Sequence, residues 1–252
     1  MIENGESKKT KPSSIIDLHS SSEKYWSLRY KDFIMLDTPI YKFLEASRYL
    51  KIAPATLRSW VVGRSYPKGK GFAYFKPLIK SSGKAHHLLS FNNLIEAYVL
   101  RSLRQEHGVS IKAVRAALNY AQAEFNVPRL LLSHDLFTAA GNLFLQRYGE
   151  LINLSKSGQL ALRKMLEAHL QRIEWNRNLP IRLYPFIDLD SNKLIAIDPL
   201  VKFGRPVIMR KAVSTASIVD RIDAGESLVA VADDYDLEVN EVEMAVLYER
   251  AA

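Results

Sequence analysis

The sequence contains no cysteine among its 252 residues. Disulfide bonds, cysteine-ligated zinc, thiol catalysis and thiol redox sensing are therefore excluded. No apolar run approaches the roughly 20 residues that a membrane-spanning helix needs. Residues 1–23 also lack the apolar core of a secretory signal. These absences favour a cytoplasmic protein that has no membrane partner and needs no cofactor.

Basic residues become scarce towards the end of the chain. Residues 211–252 hold three basic and ten acidic residues, a net charge of −7. Residues 1–210 hold the remaining 32 basic and 17 acidic residues, a net charge of +15. A positive excess favours a polyanionic partner, and a negative excess favours a basic partner or none. The sequence thus predicts two different binding functions in one chain.

Residues 43–60 have the spacing of two short helices joined by a tight turn. Pro54 suits the first position of the second helix, because its missing N–H would have no partner there. Small Ala46 would let the two helices approach closely. We expect their shared core to contain Leu44, Leu50, Ile52, Leu57 and Val61. The residues expected to face outward, towards bases or phosphates, are Thr56, Arg58 and Ser59.

Lysine and arginine residues punctuate two apolar runs after this motif, at 72–75 and 87–91. The pattern predicts a β-hairpin, or wing, whose cationic tip lies along phosphates. The DNA-contacting residues predicted in this region are Arg64, Lys68, Lys70 and Lys84. Ser90 is then expected to cap a helix that runs to Leu103, and a further helix is expected over 111–125.

The order of helix-turn-helix, wing and two helices resembles the MerR-like winged helix-turn-helix domain over residues 40–125. The resemblance implies dimeric binding to duplex DNA, with Thr56, Arg58 and Ser59 on the reading helix and the wing lysines on the backbone. Lys51 stands where that family usually has a glycine, and Ala53 replaces its usual capping serine. The predicted wing is also longer than usual.

Residues 127–192 carry no motif with a specific chemistry. Two short strands about Gly149 are predicted over 143–152, and a helix is predicted over 159–175, which Pro180 prevents from continuing. A strand is predicted over 181–186. The helix has an apolar stripe that suits either a dimer contact or an ordinary core. The six histidines are scattered. The aspartates Asp188, Asp190 and Asp198 fit turns better than a metal site, so no metal ligand or catalytic residue is predicted.

Three helix-like stretches close the chain, beginning near Ser214, Ser227 and Asp236, and their apolar residues predict a small trihelical core. The third stretch is rich in glutamate, which phosphates would repel. Charge therefore argues against DNA binding, and an acidic face taken alone is more often solvated surface than a binding site.

Several motifs here resemble the domain of unknown function family 433: Ile197-Asp-Pro199, residues 203–208, Val213-Ser214, residues 223–227 and residues 232–235. Such domains look like the antitoxin halves of VapB-type toxin–antitoxin pairs, whose partners are PIN-like ribonucleases. The resemblance implies that the acidic face docks a basic toxin or another subunit. The residues expected to contact that partner are Glu238, Glu241, Met244 and Leu247. Where the family usually has Gly-Thr-Arg after Pro-Val-Ile, this chain has residues 209–212, Met-Arg-Lys-Ala.

Together these features predict a mainly α fold with small β elements. We expect a disordered tail over 1–24, a winged helix-turn-helix domain over 25–126, a small α/β connector over 127–192 and a trihelical antitoxin-like domain over 193–252. The expected function is that of a homodimeric antitoxin that neutralises a PIN-like ribonuclease and represses its own operon at a double-stranded DNA operator. The alternative is a one-component MerR-like regulator whose connector dimerises or binds a small ligand. An enzyme is the least favoured class.

Overall fold

A short strand, two helices and a β-hairpin form the N-terminal part of the fold in the computed structural model. The structure describes residues 34–81, 88–105, 111–126, 129–132, 145–147, 150, 156–176, 179–185 and 193–251. The first elements are β1 (Tyr41–Lys42), α1 (Phe43–Leu50), α2 (Pro54–Val61), β2 (Arg64–Lys68) and β3 (Gly71–Phe75). The predicted helix-turn-helix is confirmed. The tail predicted over 1–24 lies outside the described residues.

The turn between α1 and α2 depends on Lys51, whose φ of 52° and ψ of 46° are left-handed. The Lys51 N–H donates to the Arg48 carbonyl at 3.3 Å, and the Ile52 N–H donates to the Ser47 carbonyl at 3.0 Å. These bonds satisfy carbonyls at the end of α1 in the way that a left-handed glycine commonly allows. Lys51 therefore adopts the conformation for which glycine is the usual residue.

The core between the two helices is largely as predicted. Ala46 is fully buried where the helices approach, and Leu57 and Val61 face inward from α2. The prediction for Leu44 is wrong, because its side chain is 63% exposed. Residues four and seven positions apart share one face of a helix, so Leu44 lies on the solvent side with Arg48.

The wing is a short antiparallel hairpin of β2 and β3, in which Arg64 lies opposite Phe75 and residues 69–70 form the turn. The prediction that residues 87–91 form its second strand is wrong. Strand β4 (Leu88–Leu89) instead pairs with β1, and Leu89 lies opposite Tyr41. Both of these side chains are buried. Pairing β4 with β1 buries Leu89 in the core, and this burial is more favourable than lengthening an exposed hairpin.

Two long helices, α3 (Phe91–Gln105) and α4 (Ile111–Phe125), follow the wing region as predicted. The Ser90 hydroxyl accepts from the Asn93 N–H at 3.2 Å, and the Asn93 side-chain oxygen accepts from the Ser90 N–H at 3.2 Å. This reciprocal pair caps the start of α3. Helix α3 is buried over most of its length and is the central element of the larger core.

The described part of the connector contains a 3₁₀ turn (Leu130–Leu132), α5 (Lys156–Leu170), β5 (Ile173–Asn176) and β6 (Leu179–Leu183). Residues 145–147 are helical, so the two strands predicted over 143–152 are wrong there. The predicted helix ends at Leu170 instead of continuing to 175, and Pro180 lies within β6. Leu166 and Leu170 of α5 are buried in the same core as α3, whereas Leu160 is exposed. The turn predicted over 188–192 lies outside the described residues.

The C-terminal part consists of a small sheet and three helices. Its elements are β7 (Ile195–Ala196), β8 (Val207–Ile208), β9 (Val213–Ser214), α6 (Thr215–Asp223), α7 (Leu228–Tyr235) and α8 (Val239–Arg250). The three strands form an antiparallel sheet in the order β7-β8-β9. The Ser227 hydroxyl accepts from the Ala230 N–H at 3.1 Å and caps α7. The predicted trihelical domain is confirmed, and the sheet is added to it.

Two hydrophobic clusters hold these parts together. The larger one includes the helix-turn-helix, α3, α4 and the connector, and Ile197 joins it from the C-terminal part. The smaller one lies among α6, α7, α8 and the sheet. Reciprocal backbone hydrogen bonds of 2.8 and 3.0 Å join Leu183 to Ile197. The described residues from Met35 onward form one compact unit. None of the helices in the described ranges has the length and apolar character needed to span a membrane.

Candidate DNA-binding and partner-binding surfaces

The outer face of α2 presents the predicted reading residues to solvent. Arg58 is exposed, and Thr56 and Ser59 are half-buried. The Ser59 hydroxyl donates to the Thr56 carbonyl at 2.8 Å, so its oxygen remains available mainly as an acceptor. The Arg58 guanidinium lies 6.0 Å from the centroid of the Phe43 ring, at the start of α1. Arg58 is therefore the best placed of the three to contact a base or a phosphate.

The wing carries three of the predicted cations. Arg64 begins β2, Lys68 ends it, and Lys70 lies in the turn, and all three are exposed. Phe72 lies beside them on β3 and is also exposed. The fourth predicted cation, Lys84, lies outside the described residues. Cations and an aromatic ring at the end of a hairpin suit contact with a nucleic-acid backbone.

The base of the wing is fixed to the helices on two sides. The Tyr74 hydroxyl donates to the Val62 carbonyl at 2.6 Å, directly after α2. The Arg115 guanidinium of α4 donates to the Pro77 carbonyl at 3.1 Å and lies 4.7 Å from the centroid of the Phe75 ring. These contacts hold the hairpin in a defined position relative to the reading helix.

The end of α8 packs against the helix-turn-helix through a buried tyrosine. The Tyr248 hydroxyl donates to the Tyr49 carbonyl at 3.0 Å. The Lys51 ammonium lies 4.5 Å from the centroid of the Tyr248 ring, within the range of a cation–π contact. Burial raises the pKa of Tyr248 well above its usual value, and burial also lowers the pKa of Lys51. We call this contact region, formed by Arg48, Tyr49, Lys51, Tyr248 and Glu249, the seam.

A half-buried glutamate, Glu249, completes the seam. One carboxylate oxygen of Glu249 accepts from the Thr215 hydroxyl at 2.5 Å, at the start of α6. The other oxygen lies 3.4 Å from the Arg48 guanidinium of α1. Glu249 thus connects the helix-turn-helix to two helices of the C-terminal part.

The predicted partner-binding face of α8 is corrected by the structure. Glu238 and Leu247 are exposed, as the prediction requires. Glu241 and Met244 are only 5% and 9% exposed, so the prediction that they lie on an exposed face is wrong. The Glu241 carboxylate accepts from the Arg210 guanidinium at 2.7 Å and from the Glu238 N–H at 2.8 Å, which explains why a glutamate is buried here.

A different stripe of α8 is available for a partner. Val239, Glu243 and Leu247 are spaced four residues apart, so they follow one another along one face of the helix. All three are exposed, and Leu247 is 57% exposed. This α8 stripe therefore offers two apolar side chains and one carboxylate to solvent.

Many acidic side chains of the C-terminal part already have a cationic partner. Six of the ten acidic residues after position 210 form ion pairs: Asp223, Glu226, Asp234, Asp236, Glu241 and Glu249. Among the described residues, the acidic side chains of this part without an ion pair are Asp220, Asp233, Glu238 and Glu243. Most of these acids therefore stabilise the domain itself, and Glu238 and Glu243 remain to attract a basic partner.

A strongly exposed aromatic residue, Phe203, was not predicted as a site. Its side chain is 87% exposed, and Leu200 beside it is also exposed. Phe203 has φ 57° and ψ 34°, and the preceding Lys202 has φ 48°, so two consecutive side-chain-bearing residues are left-handed. This conformation costs roughly 1–2 kcal/mol per residue, and such strain is often retained at functional sites. The sequence gives no local signal for it.

The loop that carries Phe203 is anchored at both ends. The Asp198 carboxylate accepts from the Leu200 N–H at 2.9 Å and from the Arg182 guanidinium at 2.9 Å. Gly204, at φ +72°, packs so closely on Tyr41 that an added Cβ would clash with the Tyr41 hydroxyl. The loop is therefore held firmly, and its aromatic tip remains in solvent.

This geometry defines a helix-turn-helix protein with a β-hairpin wing and a trihelical C-terminal part. Two known families match the chain. Residues 39–118 match the family described as a putative DNA-binding HTH domain, and residues 195–248 match the family described as a protein of unknown function (DUF433).

The chain belongs to the family of the putative antitoxin VapB45 of Mycobacterium tuberculosis. The two proteins are 31% identical over 223 residues, which cover 80% of this chain and 90% of that relative. The uncharacterized protein Rv2308 of the same organism is 23% identical over 223 residues, which cover 85% of this chain and 91% of that protein. The crystal structure of Rv2018 from M. tuberculosis is similar with a TM-score of 0.61 and 27% identity, and covers 84% of this chain and 99% of that one. These matches support a DNA-binding, antitoxin-like role.

Proposed function

We propose that this protein is the antitoxin of a type II toxin–antitoxin pair, which neutralises a PIN-like ribonuclease by direct binding and represses its own operon as a homodimer. The DNA-binding half rests on the exposed outer face of α2 beside a cationic wing. The antitoxin half rests on the relative named as an antitoxin and on the exposed α8 stripe.

The arrangement of the basic surface suits a duplex. Arg58 lies on the exposed face of α2, and Arg64, Lys68 and Lys70 lie on a hairpin fixed beside that helix. A reading helix enters the major groove while phosphate contacts set its position. Contact with about six phosphates would lower the affinity on the order of a thousandfold between 50 and 200 mM salt.

A mobility-shift titration with the DNA upstream of the protein's own coding region tests the DNA-binding half. The Arg58→Ala variant should bind this DNA at least about tenfold more weakly, because one good contact to a base contributes about 1–3 kcal/mol of discrimination. The control is Lys164→Ala, which removes an exposed cation from α5. Equal affinities of the wild type and Arg58→Ala would contradict the proposed reading face.

The α8 stripe is the surface proposed for the toxin. Two exposed apolar residues flanking Glu243 can anchor an interface, and Glu238 and Glu243 can attract a basic partner. The acids that form internal ion pairs take no part in this proposal, because a partner would have to compete for them.

Co-expression with the product of the adjacent gene tests the antitoxin half. We expect the two proteins to co-purify and growth inhibition by the neighbour to be relieved. Leu247→Asp should abolish both effects, because it replaces one of the two apolar anchors of the α8 stripe with a charge. Val229→Asp, at an exposed apolar position of α7, is the matched control and should retain both effects. Full neutralisation by Leu247→Asp would show that the toxin does not bind at the α8 stripe.

A further inference from the structure

A cavity of about 440 Å³ opens at the seam between the helix-turn-helix and the end of α8. Its lining includes Ser47, Arg48, Lys51, Ala53, Glu249 and Arg250. It therefore lies beside the turn that leads into the reading helix. Neither the proposed reading face nor the α8 stripe uses these residues.

A buried hydroxyl without a partner lines this cavity. Ser47 is only 4% exposed, and its hydroxyl has no hydrogen-bond partner within the part of the chain that the structure describes. A buried polar group that lacks a partner costs about 1–3 kcal/mol. A ligand that accepts a hydrogen bond from Ser47 would remove this cost.

The start of α2 also faces the cavity without a side-chain cap. Ala53 and Pro54 are both lining residues, and no side chain accepts a hydrogen bond at this N-terminus. Pro54 has no N–H and the Thr56 N–H donates to the Ala53 carbonyl at 2.9 Å, so the terminus acts mainly through its partial charge. The first turn of a helix carries partial positive charge, which favours an anion near it. The Ser47 hydroxyl and the N-terminus of α2 therefore favour the same kind of ligand, which is negatively charged and accepts hydrogen bonds.

The charges of the lining agree with this requirement. Arg48, Lys51 and Arg250 contribute three positive charges, and Glu249 contributes one negative charge. The Glu249 carboxylate already accepts from Thr215 and faces Arg48. Burial lowers the pKa of Lys51, so an anion in the cavity would favour its charged form.

Arg250 is free to turn towards such an anion at little energetic cost. It pairs with Asp223 at 2.7 Å, but both side chains are more than half exposed. Exposed ion pairs of this kind contribute only about 0–1 kcal/mol. Arg250 can therefore exchange this pair for a ligand in the cavity.

We propose that this cavity binds a phosphate group, held by Ser47, Arg48, Lys51 and Arg250 and by the N-terminus of α2. The phosphate is supplied either by the backbone of bound DNA or by a free small anion. The first source rests on the proposed function, and the second does not. In both cases the last turn of α8 takes part in binding, so the C-terminal domain contributes directly to an anion site of the helix-turn-helix.

Two measurements on the full chain separate the sources. The first is the salt dependence of binding to the upstream DNA and to a random duplex of equal length. Each lost phosphate contact lowers the slope of log affinity against log salt by about 0.9. If DNA supplies the phosphate, Arg48→Gln and Arg250→Gln should each lower this slope by about one and weaken binding to both duplexes alike. Lys164→Gln, which removes an exposed charge from α5, should leave the slope unchanged.

The second measurement titrates inorganic phosphate into the protein without DNA, by calorimetry and by the shift in melting temperature. If the anion is free, phosphate should bind the wild type, and Arg48→Gln and Ser47→Ala should weaken binding about tenfold, as expected for one charge-assisted hydrogen bond. Ser47→Ala keeps the charge of the lining, so its effect tests the hydroxyl alone.

A changed salt slope without binding of inorganic phosphate assigns the cavity to the DNA backbone, and the reverse assigns it to a free anion. If the wild type binds no DNA, the proposed DNA-binding function fails while the phosphate titration still tests the cavity. Unchanged slopes together with no binding of phosphate by the wild type, or with phosphate binding that Arg48→Gln and Ser47→Ala leave unaltered, would overturn the inference.

Discussion

Single residues at the helix-turn-helix set much of its local stability. Ala53 precedes α2 with φ −56° and ψ 132°, close to the extended conformation of an N-cap, but it has no oxygen to accept from the first turn. Lys51 adopts a left-handed conformation that costs more for lysine than for glycine. Its contact with the Tyr248 ring compensates in part. Ala53 in place of serine and Lys51 in place of glycine are therefore both expected to lower the local stability.

The first of these effects gives a prediction about stability. Ala53→Ser should raise the free energy of unfolding by about 1 kcal/mol, because the new hydroxyl can accept from an N–H of the first turn of α2. The melting temperature should rise by about 2–4 °C for a chain of this size. Ala53→Val, which adds bulk without an oxygen, should not produce this gain. Equal melting temperatures of the two variants would contradict the capping argument.

At the scale of elements, the loop with Phe203 combines local strain with firm anchors. Asp198 fixes its start, and the close packing of Gly204 on Tyr41 fixes its end. The ring of Phe203 gains little from burial, because it is almost fully exposed. The anchors of the loop therefore impose the left-handed conformation on Phe203, for which it is unfavourable.

Two substitutions at this tip separate the strain from the loss of the ring. Phe203→Gly and Phe203→Ala both remove the aromatic ring, but only glycine adopts a positive φ without steric cost. We expect the glycine variant to be more stable than the alanine variant by about 1 kcal/mol. Urea unfolding of both variants measures this difference. A more stable alanine variant would show that the left-handed conformation is not a source of strain.

The success of the sequence predictions also depends on the element. The turn at Lys51–Pro54 and the caps at Ser90 and Ser227 are encoded by neighbouring residues, and they were predicted correctly. The pairing of β4 with β1 joins positions almost fifty residues apart, so local patterns predicted a longer wing instead.

The same distinction explains the outcome at the candidate sites. The outward position of Arg58 follows from the helical period and was predicted correctly. Glu241 was expected on the surface because glutamate usually lies there, but Arg210, 31 positions away, provides a partner for it inside the fold. The exposure of Phe203 depends on anchors at Asp198 and Gly204 that also require distant residues, so no sequence pattern indicated it.

At the scale of the whole molecule, buried tyrosines join the helix-turn-helix to the C-terminal part. Tyr248 is fully buried at the seam, Tyr49 lies beside it, and Tyr41 contacts Gly204. Burial raises the pKa of all three, and that of Tyr49 rises to about 12. Each phenol therefore stays protonated in the folded protein at a pH at which an unfolded tyrosine, with a pKa of about 10, ionises.

This difference predicts a loss of stability in alkali. Because the folded pKa values are raised, the contribution of these phenols is fully present below about pH 10 and is lost as the pH rises further. Each such group lowers the free energy of unfolding by up to about 1.4 kcal/mol per pH unit in that range. Tyr248→Phe removes one titrating group, so its unfolding free energy should fall less steeply with pH, although the variant is less stable at pH 8. Urea unfolding between pH 8 and 11 measures both slopes, and parallel slopes would contradict the prediction.

The seam also has a consequence for the exchange of domains between relatives. Many multidomain regulators tolerate recombination of their parts, because a linker separates them. Here the Tyr248 hydroxyl donates to the backbone carbonyl of Tyr49, and the Glu249 carboxylate faces the Arg48 guanidinium. A chimera that joins this helix-turn-helix to another C-terminal domain should fold well only if that domain has a tyrosine and a glutamate at the positions of Tyr248 and Glu249.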